Sequence, residues 1–88
     1  MKLKGEFVQR EIAGEVILVP VGQTALHFNG IITLNQTGLE IWNGLQEEKS
    51  REQILEELLE QFEVSQETAQ ADMETFLQYL NENGLIEQ

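Results

Sequence analysis

The 88 residues contain no cysteine, which removes a disulfide framework, a thiolate metal site and a cysteine nucleophile together. A single histidine, His27, leaves no His cluster for a metal and no ready base for a serine or threonine nucleophile. Long hydrophobic runs are missing too. No stretch approaches the roughly 18 apolar residues of a membrane span, and the two lysines of MKLKGEFVQR have no apolar segment behind them to form a secretory signal. The chain is therefore expected to be cytoplasmic, with neither a membrane nor a metal as partner. Positive charge is scarce as well: five Lys or Arg stand against sixteen Asp or Glu, a net charge of −11. Residues 46–88 carry two of the former and twelve of the latter, a field that repels phosphate backbones and favours solubility or a basic partner.

What is present is the composition of one small globular domain over residues 1–88, with 41% hydrophobic residues and seven glycines. FVQREI (7–12) alternates in part, and EVILVPV (15–21) is almost continuously apolar and β-branched. Ala13-Gly14 between them predicts an antiparallel hairpin whose second strand takes the middle position. After a loop over 21–30, GIITL (30–34) reads as a third strand, with Phe28, Ile32 and Leu34 on its inner face and Ile31 and Thr33 on the other.

From Asn35 the period becomes helical. Asn35 or Thr37 is the expected N-cap, Leu39, Trp42 and Leu45 form a stripe, and Asn43-Gly44 is the expected end. Ser50 and Gln53 have capping-box spacing ahead of Ile54, Leu55, Leu58, Leu59 and Phe62. Ser65 caps a last helix with the stripe Ala69, Met73, Phe76, Leu77 and Leu80, stopped at Asn83-Gly84, after which Leu85 and Ile86 return to the core. Both serines of the chain are thus helix caps. The order βββααα is that of an α+β, winged helix-turn-helix-like domain: a three-stranded sheet followed by three helices.

Catalytic and ligand signatures are absent. There is no calcium loop, no phosphate-binding glycine motif and no nucleophile beside a base, so neither an enzyme nor a cofactor is expected. A winged-helix order suggests DNA binding, but the last helix carries Glu67, Asp72, Glu74 and Glu82 and no basic residue, so nucleic acid is not an expected partner. Glu52, Glu56 and Glu60 lie in a row at i,i+4 spacing, either as a solvated face or as a ridge that docks a basic partner enzyme. The strand over 30–34 carries no charge and no proline, so its side chains do nothing to prevent an extended peptide, or a second copy of the chain in a homodimer, from pairing with its outer edge.

Three runs, REIAGEVILVP, FNGIITLNQTGLEIW and QADMETFLQYLNENGLI, resemble the PqqD family, whose domain is also called the RiPP recognition element after ribosomally synthesised, post-translationally modified peptides. The most specific pieces are Leu34-Asn35-x-Thr37-Gly38 followed by Trp42, and Asp72 leading to Phe76, Leu80 and Gly84-Leu85. The resemblance implies a non-catalytic peptide chaperone. It would bind the leader of a precursor peptide and present it to a modifying enzyme, often a radical-SAM enzyme as in PQQ biosynthesis, or else a protease and cyclase pair. It also implies that the leader adds as a strand to Gly30, Ile31, Ile32, Thr33 and Leu34 and lies against the last helix. At 100° per residue that helix has two flanks beside its core stripe. Asp72, Thr75, Tyr79 and Asn83 share one and are preferred for the area and hydroxyl of Tyr79, with Phe76 and Leu80 as groove floor; Gln70, Glu74, Gln78 and Asn81 share the other. The alternative is an acidic adaptor subunit that docks an enzyme through Glu52, Glu56 and Glu60 without binding peptide itself.

Overall fold

The structure is a computed structural model that describes residues 2–87. Strands β1 (Lys2–Leu3), β2 (Phe7–Ile12) and β3 (Glu15–Pro20) are followed by a single helical turn, α1 (Thr24–His27), and by β4 (Ile32–Leu34). Helices α2 (Gln36–Gln46), α3 (Arg51–Gln61) and α4 (Gln66–Glu82) come next, and β5 (Ile86–Glu87) closes the chain. The expected antiparallel sheet has the order β2-β3-β4, with the most apolar strand in the middle. Ile12 pairs with Glu15 across a two-residue turn in which Ala13 and Gly14 both have positive φ, 53° and 82°, as a hairpin of this length demands.

The register explains which side chains enter the core. Val16 pairs with Leu34 and Leu18 with Ile32, so these four share the inner face, while the Ile17–Thr33 pair points to the other side. Leu18, Ile32 and Leu34 are buried there with Ile41 and Leu45 of α2, Ile54 and Leu58 of α3, and Leu77 and Leu80 of α4. Phe7 meets the ring of Trp42 edge-on at 5.5 Å and that of Phe28 at 5.9 Å, which ties α2 to the sheet.

The caps are as the residue spacing predicts. Asn35 accepts from the Gly38 N–H, Ser65 accepts from the Thr68 N–H, and Ser50 and Gln53 form a full capping box. Gly84, at φ 69°, sits in a Schellman ending of α4, with Leu85 N–H donating to the Leu80 carbonyl and Gly84 N–H to that of Asn81.

Four expectations need correction. β4 begins at Ile32, because only Ile32–Leu34 enter the ladder; Gly30, at φ 108°, turns the chain away, and Ile31 lies outside the strand. α2 does not stop at Asn43-Gly44. It runs on to Gln46 because Gly44 is a packing site: a Cβ there would lie 2.7 Å from Ile54 Cγ1. The helix ends instead in a second Schellman pattern, with Glu48 at φ 57° and Lys49 N–H donating to the Gly44 carbonyl. The loop over 21–30 contains the turn α1, and a second sheet, β1 with β5, adds to the three strands: Leu3 pairs with Ile86, which makes the return of Leu85 and Ile86 a strand. Two-residue strands and one-turn helices have no period to detect. Among the described residues no helix is long and apolar enough to cross a membrane.

Candidate functional site

β4 pairs with β3 on one side only, and its other edge has no strand partner among the described residues. Beside it opens a cleft of about 860 Å³. One wall is Thr33 and Leu34 of β4, continued by the hairpin end Gly14–Val16. The first turns of α2 form the end, because that helix begins two residues after β4 and must bring its N-terminus to this edge. The facing wall is one flank of α4: Asp72, Thr75, Phe76 and Tyr79.

The chemistry of the lining is apolar with a polar rim. Leu34 and Ile41 are buried, Val16, Leu39 and Phe76 are half-buried, and Tyr79 keeps 41% of its surface exposed for so large a ring. Gly38 explains part of the sequence motif around it. A Cβ at this position would stand 3.1 Å from Asn35 Oδ1 and 3.4 Å from Leu34 Cδ2, crowding the 2.7 Å hydrogen bond that starts α2. Glu15 and Asp72 are the charged residues of the lining, and both are exposed.

The structure thus gathers Thr33, Leu34, Asp72, Thr75, Phe76 and Tyr79 around one space, and leaves the other named residues elsewhere. Gly30 and Ile31 lie ahead of β4, and the side chain of Ile32 is buried in the core. Leu80 is fully buried and does not line the cleft. Asn83 donates through its side-chain amide to the Tyr79 carbonyl, 2.9 Å, and borders a smaller cleft with Lys4, Glu6 and His27. Glu52, Glu56 and Glu60 are exposed on α3, away from the cleft. Sequence reasoning missed Gly14, Glu15, Val16 and Ile41, and placed Leu39 only in the apolar stripe of α2. The antiparallel pairing of β3 with β4 was the available signal, since it lays the start of one strand beside the end of the other.

A free strand edge facing a helix across an apolar cleft fits what sequence comparison returns. The sequence model described as coenzyme PQQ synthesis protein D matches residues 15–86, which include every cleft residue but Gly14. The chain belongs to the PqqD family. A solved structure shares the fold: TbiB1 in complex with the TbiA(beta) leader peptide superimposes with a TM-score of 0.75 at 28% identity, over 99% of this chain and 95% of that one. No curated protein matches the sequence.

Proposed function

We propose that this PqqD-family chain is a non-catalytic module that binds the leader segment of a precursor peptide and presents it to a modifying enzyme. The uncovered edge of β4 beside an apolar cleft carries this reading, and the leader-bound relative supports it. The leader adds as a strand to Ile32–Leu34 and lays alternate side chains against Phe76, Tyr79 and the start of α2. Thr33, Asp72 and Thr75 meet its polar atoms, and Gly30 and Ile31 mark where it leaves the edge.

Magnitudes divide the work between backbone and side chains. An edge of three residues offers about two to four backbone hydrogen bonds, each worth about 0.5–1.5 kcal/mol net. That falls short of the roughly 8 kcal/mol of micromolar binding, before the cost of ordering the peptide. Buried apolar anchors, at about 1.5–3 kcal/mol each, must supply the rest, so the cleft matters more than the ladder.

The test is a proline scan over residues 31–34, titrated calorimetrically with a peptide selected from a displayed leader-length library and checked by circular dichroism. Proline where the N–H points outward removes binding from a folded protein; where the N–H pairs with β3, the sheet unfolds. Binding retained in every folded variant overturns strand addition. Turnover of a precursor by the isolated chain overturns the non-catalytic reading.

The enzyme served is a radical-SAM enzyme, or else a protease and cyclase pair, and it docks on α3. Glu52, Glu56 and Glu60 are exposed there and make no ion pair among the described residues, which also suits the adaptor reading. Reversing these three charges is expected to abolish enzyme association and to leave peptide affinity unchanged. Without peptide, the open edge also accepts a second copy of the chain, which sedimentation with and without peptide detects.

A further inference from the structure

We propose that the cleft selects peptides that place a lysine or arginine beside their apolar anchors, held between Glu15 of β3 and Asp72 of α4. The inference rests on the reading of this cleft as the peptide site. These two carboxylates come from separate elements, and they are the charged groups among fifteen lining residues. Neither makes a hydrogen bond or ion pair among the described residues. The two cations at the start of α3 are already engaged, Lys49 with Glu47 and Glu57, and Arg51 with Glu74.

One feature of the cleft opposes this field. The N-terminus of α2 opens onto it and carries no acidic residue in its first turn. A helix terminus is worth about half a positive charge, however, against two full negative ones. Asn35 also occupies the Gly38 N–H already. In a chain of net charge −11, an acidic leader residue meets like charge, a neutral one gains nothing, and a cation gains two exposed partners at the rim of the cleft. Affinity then comes from the apolar anchors and choice from the carboxylates.

A displayed random peptide library selected on the intact chain tests this. Lys or Arg is expected at a fixed offset from the apolar anchors. The selected peptide and a copy with that cation replaced by glutamine are then titrated against the native chain, Glu15→Gln, Asp72→Asn and the double variant. The native chain prefers the cationic peptide by about 3–10-fold, a margin that shrinks with added salt. The preference collapses toward unity in the double variant and falls part-way in each single one, so one misfolded variant leaves the others decisive. Selected peptides without a fixed cation, enrichment of Asp or Glu, or a preference unchanged in the variants overturns the inference and leaves the peptide site standing. Failure to enrich any peptide overturns both.

Discussion

The two flanks of α4 are a natural comparison within one element. On one, Glu74 is joined to Arg51 of α3 and Gln78 donates to Glu82, so two of its four polar side chains have partners and one ties the helix to its neighbour. On the other, Asp72, Thr75 and Tyr79 have no side-chain hydrogen bond among the described residues and face the cleft, whereas Asn83, at the C-terminal end, is bonded to the Tyr79 carbonyl and lies outside it. Between them the stripe of Ala69, Met73, Leu77 and Leu80 is buried in the core. The difference teaches that α4 is held mainly by its buried stripe, with Glu74 as an exposed tie to α3 on the closed flank, while Asp72, Thr75 and Tyr79 are left to face the cleft on the open one.

Five substitutions would break or sharpen that contrast. Leu77→Ala, in the stripe, is expected to cost about 2–5 kcal/mol in chemical denaturation and to weaken both flanks together. Gly44→Ala forces a Cβ against Ile54 and pushes α3, the support of the closed flank, away from α2; a loss of about 1–3 kcal/mol is expected. Tyr79→Ala, on the open flank, should weaken the selected peptide about tenfold in calorimetry and barely move Tm, whereas Gln78→Ala should do neither. Arg51→Met removes a partly exposed ion pair on the closed flank, worth at most about 1 kcal/mol, and should leave peptide affinity unchanged. If Tyr79→Ala and Gln78→Ala had equal effects on binding, the flanks would not differ in function.

How much of this was legible follows from where periodicity exists. Helix caps at Asn35, Ser50 and Ser65 can be read because the cap bond spans three residues of one chain. The middle position of β3 follows from its continuous apolar run. The end of α2 was misread because Gly44 looks locally like a stop, whereas its missing side chain makes room for Ile54 on another helix. The length of β4 was overread for a similar reason: Gly30 and Ile31 suit a strand, but only pairing with β3 decides which residues enter the ladder.

The site divides in the same way. Thr33, Leu34, Asp72, Thr75, Phe76 and Tyr79 can be named from a strand and a helical flank, once family resemblance says that the two face each other. Glu15 cannot be, because its place in the cleft depends on a register set between strands eighteen residues apart at the Val16–Leu34 pair. The sequence by itself determined the central hairpin, the starts of the three long helices with their caps, and the charge of the chain, all of which depend on neighbours within a few residues. Only the tertiary structure decided that a hairpin end, a helix N-terminus and one flank of α4 enclose a single space, because packing across the core joins residues that no local period relates.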